Sequence, residues 1–146
     1  MARDAIVAFK LLGERRAAKA FARWLVRAAE RLDKPDVITW VPSTRKGAAE
    51  RGFTPAEEIA RAFGVAVGIK PRGLLRKTRE TTDQHGLGRA SRAENMLGVF
   101  ASEQCPRAVL LLDDVLTTGA TANACATALK HAGADDVDVL TVCRAP

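Results

Sequence analysis

Apolar positions change their period along the chain, and the changes mark out alternating helices and strands. Between residues 14 and 32, Ala18, Phe21, Ala22, Leu25, Ala29 and Leu32 fall on one face of a 3.6-residue wheel. Residues 4–12 read as a shorter helix before it. The runs at 36–41 and 108–112 are apolar, bounded by charge or proline, and too short for helices, so they predict buried strands. Residues 55–63 predict a helix, opened by Thr54-Pro55-Ala56-Glu57 as a capping box with proline at the first helical position. Weaker strands are expected at 65–69 or 73–77 and at 96–101, then a helix over 119–132 and a strand over 137–143. Residues 78–94 are polar and basic and read as a loop, with a short helix near 90–95. Such alternation predicts parallel βαβ units with right-handed crossovers, and ligand binding at the carboxyl ends of the strands. There is no internal repeat.

Composition narrows the class without choosing a function. A chain of 146 residues, 47% hydrophobic and 27% charged, suits one globular domain with a sizeable core. No apolar run approaches membrane-spanning length, and the amino terminus, Met-Ala-Arg-Asp, has no signal-peptide pattern. Cys105, Cys125 and Cys143 stand apart with no Cys-x-x-Cys pair, so neither a disulfide framework nor a zinc site is expected, and a reduced cytoplasm is the expected location. The net charge of +6 suits anionic ligands, phosphates and nucleic acids alike.

The most informative chemistry lies at 109–121, Val-Leu-Leu-Leu-Asp-Asp-Val-Leu-Thr-Thr-Gly-Ala-Thr. A strand ending on Asp113 and Asp114, a short turn and a helix start build an anion site, because the first helical amides lack internal partners and carry the positive dipole end. Thr117, Thr118 and Thr121 add hydroxyls, and Gly119 and Ala120 admit close approach. The first turn after Thr118 has no acid to complement the helix start. Two carboxylates beside a phosphate cradle would repel a bare phosphate, but they accept hydrogen bonds from a vicinal diol. The combination points to a ribose 5-phosphate, with phosphate on the loop and the 2- and 3-hydroxyls at Asp113 and Asp114.

Two further basic segments accompany it. The strand at 36–41 opens into Pro42-Ser43-Thr44-Arg45-Lys46-Gly47, a polar loop with two cations, and Arg51 follows. Residues 70–92 hold Lys70, Arg72, Arg76, Lys77, Arg79, Arg89 and Arg92 with Gln84, His85 and several glycines, a composition suited to a mobile cover that excludes water. The polar face of the 14–32 helix carries Arg15, Arg16, Lys19, Arg23, Arg27 and Arg31 against Glu30 alone. Like charges at this spacing oppose the helix by a few tenths of a kcal/mol per pair. A polyanion contact and a solvated face both account for it.

The 109–121 segment resembles the signature of type I phosphoribosyltransferases for 5-phosphoribosyl 1-pyrophosphate (PRPP): apolar strand, two acids, then Thr-Thr-Gly-x-Thr. The resemblance implies an α/β fold with a Rossmann-like parallel sheet and a small hood. One domain is expected over 1–146, with amino-terminal helices to about residue 35 and a mobile basic loop at about 70–94. It also implies catalytic Asp113 and Asp114, a 5-phosphate on Thr117, Thr118, Gly119, Ala120 and Thr121, and pyrophosphate at Ser43, Thr44, Arg45 and Lys46. Arg76, Lys77, Arg79 and Gln84 fall in the implied mobile loop. Mg²⁺ is expected to enter with PRPP, and the reaction would transfer phosphoribosyl to a nitrogen acceptor that the sequence does not specify. Trp40, Phe53 and Arg144 are candidates for the acceptor pocket.

Further segments resemble the ComF branch of that fold, associated with DNA uptake: Ala5 to Gly13, Val41-Pro42 to Arg51-Gly52-Phe53, Gln84-His85-Gly86-Leu87, Arg92 with Asn95, and Gly98-Val99-Phe100. ComF proteins usually begin with a Cys-x-x-Cys zinc ribbon, and this chain starts just after the place where one would end. The resemblance adds a second expectation, a non-catalytic accessory protein for competence that keeps the PRPP or nucleotide pocket. Expected partners are therefore PRPP or a related nucleotide, single-stranded DNA, competence proteins and further copies of the chain.

Overall fold

The computed structural model describes residues 16–78 and 98–144. Its elements in chain order are α1 (Arg16–Ala29), β1 (Val37–Trp40), α2 (Arg45–Arg51), α3 (Pro55–Val67), β2 (Leu75–Lys77), β3 (Phe100–Ser102), β4 (Ala108–Leu116), α4 (Ala120–His131) and β5 (Asp136–Arg144). The expected helix at 4–12, the short helix near 90–95 and most of the 78–94 stretch lie outside the described residues.

β1, β4 and β5 form a parallel sheet with β4 in the middle. β2 and β3 form a separate antiparallel pair. Both faces of the parallel sheet are covered, which explains why its strands read as continuous apolar runs. On one face Ile38, Leu110 and Leu112 pack with Phe21, Ala22 and Leu25 of α1 and Ile59, Ala60 and Phe63 of α3. On the other, Val37, Val109 and Leu111 pack with Cys125 and Leu129 of α4 and with Leu75 and Phe100 of the antiparallel pair. Each fully buried large side chain contributes roughly 1.5–3 kcal/mol.

The pair β2–β3 is tied to the sheet through β1. Arg72 N donates to Ile38 O at 2.9 Å, and Leu74 N donates to Thr39 Oγ1 at 3.3 Å. Thr39 is fully buried, so its hydroxyl is where a threonine rather than a valine is needed. Gly73 lies against the Trp40 ring, where a Cβ would come within 3.1 Å.

Several expectations change. The stretch 65–69 is no strand: α3 runs to Val67 and ends on Gly68 in the left-handed region at φ 73°. The capping box does not form, because Thr54 makes no side-chain cap bond and Glu57 instead accepts from Arg61 one turn later, at 2.6 Å. Arg45 to Gly47, expected in the polar loop, instead open α2, because the Thr44 hydroxyl accepts from Gly47 N at 3.0 Å and starts a turn of mostly good helix formers. The alternative strand, at 73–77, does form: Arg76 and Lys77, also expected on a mobile loop, belong to β2, paired with Ala101 and Phe100. Arg79 and Gln84 of that loop lie outside the described residues.

Candidate functional site

The two acids sit within a strand rather than at its end. β1 leaves the sheet after Trp40, opposite Leu112, while β4 runs on to Leu116. The extension is held from the other side: Asp113 pairs with Thr141, Val115 with Cys143 and Leu116 with Arg144. A crevice therefore opens at the carboxyl end of the central strand, where chains in such folds bind ligands. Asp113 is 8% exposed and accepts from Asp114 N at 2.8 Å, and Asp114 accepts from Val115 N at 2.8 Å. These short bonds fix the two carboxyl groups against their own backbone.

Residues 117–119 then link β4 to α4. Gly119 caps the helix in the left-handed region at φ 83°, a conformation that glycine adopts without strain. Gly119 offers no side chain to cap α4, and its first turn holds no acid, whereas Lys130 and His131 complement its far end. Thr118 Oγ1 accepts from Ala120 N at 3.3 Å. Thr117 is exposed, and Thr118, Gly119, Ala120 and Thr121 are half-buried, so the amino end of α4 faces outward.

The parallel register of β1 and β4 brings Ser43–Lys46 to the same end of the sheet as Thr117–Thr121. Arg45 and Lys46 are exposed on the first turn of α2. Arg51, at the other end of that helix, folds back: its Nη2 donates to Ser43 Oγ at 3.5 Å, and its buried Nε has no partner among the described residues. Gly47 makes room for this return, since a Cβ there would come within 2.8 Å of the guanidinium. Sequence spacing alone did not place Arg51 over the Ser43 turn, because the fold-back depends on α2 forming.

Behind the acids lies Cys125, fully buried on α4. Burial first, and then the Asp113 carboxylate, push its thiol well above the ordinary range, while Lys77 pulls weakly the other way. Lys77 Nζ lies 5.8 Å from the centre of the Phe100 ring. A cation carried by β2 is thus within electrostatic reach of Cys125, beside Asp113. A cavity of about 300 Å³ lined by Val26, Phe63, Leu110 and Asp138 lies at the amino end of the sheet, away from these loops.

No family model matches the chain. It is 29% identical to competence protein ComFC of Streptococcus pneumoniae over 144 residues, which are 97% of this chain and 63% of that protein. Competence protein F of Haemophilus influenzae is 29% identical over 129 residues, 82% of this chain and 56% of the relative. Over most of its length the chain is similar to the ComF competence proteins. DNA utilization protein YhgH of Escherichia coli is 30% identical over 116 residues, 77% and 51% of the two. The chain thus spans a little over half the length of these curated relatives.

The solved structures show the fold. The glutamine PRPP amidotransferase from B. subtilis, complexed with ADP and GMP, aligns with TM-score 0.60 and 23% identity over 88% of this chain and 26% of that one. The allosteric regulatory enzyme of purine biosynthesis aligns at 0.55 and 24%, with the same coverage. The fold is that of the type I phosphoribosyltransferases, as the resemblance of the 109–121 segment implies. Among the described residues, no helix is long and apolar enough to cross a membrane.

Proposed function

We propose that this ComF-like chain binds PRPP and transfers its phosphoribosyl group to a nitrogen acceptor, releasing pyrophosphate. One observation carries the reading. Asp113 and Asp114 lie in the part of the central strand that runs on past β1, and the helix that follows starts on a glycine and without an acid. In this reading the 5-phosphate takes the backbone amides and hydroxyls of Thr117 to Thr121. The ribose 2- and 3-hydroxyls donate to Asp113 and Asp114. The pyrophosphate lies toward Ser43 to Lys46 and Arg51, whose orphaned Nε is a buried donor in need of an acceptor.

In the transfer, the bond from C1 of the ribose to the pyrophosphate oxygen breaks, and its electron pair leaves with pyrophosphate. The acceptor nitrogen uses its lone pair to form the new bond to C1, and its proton passes to solvent. Arg45, Lys46 and Arg51 offset the charge that grows on the leaving group. The carboxylates hold the ribose so that C1 faces the acceptor, a contribution of positioning. A pair of neighbouring carboxylates is also a donor set that suits Mg²⁺ shared with substrate oxygens. Among the described residues no group of three or more His, Cys, Asp or Glu gathers to hold a metal by itself. Bound with PRPP, Mg²⁺ supplies charge neutralisation at the pyrophosphate. A reduced cytoplasm is the compartment proposed for this chemistry.

Titration calorimetry with Mg·PRPP tests the assignment. Asp113→Asn with Asp114→Asn is expected to abolish the binding heat while the thermal unfolding transition stays cooperative. Unchanged affinity in a folded double variant overturns it.

A second reading, an accessory role in DNA uptake, is favoured by the outer face of α1. Trp24 is 55% exposed there, its ring edge-to-face on Phe21, on a face that also carries exposed Lys19, Arg23 and Arg27. Cations with an exposed aromatic are the elements of a single-strand surface. Salt-sensitive binding of single-stranded DNA that falls in Trp24→Ala and in Arg23→Glu with Arg27→Glu supports this role. No binding at low salt removes it.

A further inference from the structure

The two edges of the parallel sheet are treated differently. Residues 72–74 lie along the outer edge of β1 and bond to Ile38 and Thr39. β5, at the other edge, bonds to β4 on one side, and among the described residues no strand pairs with its other side. That edge is nine residues long, without proline, glycine or lysine, and Val139 near its middle is 37% exposed. Chains usually shield an edge of this length with proline, lysine or other charges, with bulges or with a covering segment, and here charges stand only toward the two ends, at Asp136, Asp138 and Arg144.

The order of charges along β5 says what fits it. Asp136 and Asp138 stand at its start, Arg144 at its end, and Val139, Leu140 and Val142 between them. A strand polarised in this way is complementary to itself when run antiparallel. We propose that β5 pairs with β5 of a second copy about a twofold axis at Leu140, joining two three-stranded sheets into one of six strands.

In that register Asp136 faces the partner's Arg144, and Asp138 has the partner's Arg144 as a diagonal neighbour, within reach of a long side chain. Leu140 faces the partner's Leu140, and Val137 faces the partner's Cys143. Each contact occurs twice, as a closed twofold interface requires. Sliding the register to put Asp138 opposite itself sets like charges together, and an in-register parallel pair does the same with Asp136 and Arg144. Both are disfavoured. The candidate sites, at the carboxyl ends of the sheets, come to lie at opposite ends of the joint sheet, and the pairing does not depend on the PRPP reading.

Sedimentation velocity of the 146-residue chain over a wide concentration range tests the proposal. The expected species has twice the 15.7 kDa mass of the chain. Asp136 and Arg144 are both exposed, so their exchange does not threaten the fold. Asp136→Arg is expected to weaken the dimer by at least about tenfold, and Asp136→Arg with Arg144→Asp to restore it. Val137→Cys is expected to form a disulfide-linked dimer on mild oxidation through the native Cys143, and to lose it in a Cys143→Ser background. A monomer at every concentration overturns the proposal. So does a dimer that ignores Asp136→Arg and gives no Val137→Cys cross-link, since another surface or another strand then forms it. Mg·PRPP calorimetry on the unmodified chain reports on the site separately, so failure of one reading is distinguishable from failure of the other.

Discussion

Gly119→Ala probes the point where fold and proposed chemistry meet. At φ 83° an alanine enters the left-handed region, at roughly 1–2 kcal/mol. Space is not the obstacle, because the nearest atom to a Cβ there is Leu116 Cδ1 at 4.0 Å. The cost is therefore conformational, and part of it is offset by roughly 0.4–1 kcal/mol of unfolded-chain entropy that alanine removes. The expected net loss is about 1 kcal/mol, or a melting temperature lower by about 3 °C for a domain of this size. Gly119→Asn is expected to lose only a few tenths of a kcal/mol, since asparagine tolerates this region. Urea denaturation of the three proteins at equal slope measures both differences. If the loop relaxes to relieve the strain, the amides at the start of α4 lose their alignment. Mg·PRPP affinity should then fall by about tenfold in Gly119→Ala. Equal stability of all three proteins refutes the conformational account. A loss of stability with unchanged PRPP affinity refutes the role of these amides.

Three other substitutions test the frame around the site. Thr39→Val keeps the shape but removes one of two acceptors of Leu74 N, which also donates to Arg72 O at 3.1 Å. About 0.5–1.5 kcal/mol should be lost in urea denaturation, and Thr39→Ser should retain most of the stability. Gly64→Ala would put a Cβ within 2.5 Å of Ile69 O and 2.6 Å of Pro71 Cδ, so a loss of about 1–3 kcal/mol is expected in the same assay. Cys125 holds its proton more tightly folded than unfolded, so its contribution is complete below the unfolded-state pKa of about 8.5 and declines as pH rises above it. The stability advantage of the unmodified chain over Cys125→Ala should therefore shrink between pH 7.5 and 10, by at most about 1.4 kcal/mol per unit. In thiol labelling of the folded chain, Cys143, half-buried, should react before Cys125.

How far the site was legible depends on how local its causes are. Phe21, Ala22 and Leu25 announce the buried face of α1, and Val109 to Leu112 announce a covered strand, because side-chain period reports burial directly. The outward helix start at Gly119 was legible as well, from glycine and from the missing acid. What escaped was set by distant partners. Asp113 and Asp114 read as the end of a strand because they are charged, yet β5 carries the strand through them to Leu116. Arg76 and Lys77 fell both in a weak strand at 73–77 and in the basic loop, and pairing with Ala101 and Phe100 decides for the strand. The expected capping box lost to a competing bond, Glu57 being held by Arg61.

By itself the sequence determined the chemistry on offer: two acids, three threonines and a glycine between a buried strand and a helix, with cations in flanking segments. These follow from residue type and spacing within a dozen positions. Only the tertiary structure decided how those groups meet. It set the Ser43 turn and the Thr117 loop at the same end of adjacent parallel strands, folded Arg51 back toward Ser43, and buried Cys125 behind Asp113. Each of these depends on pairing and packing between residues far apart in the chain, where the hydrogen-bond partner and not the local sequence selects the conformation.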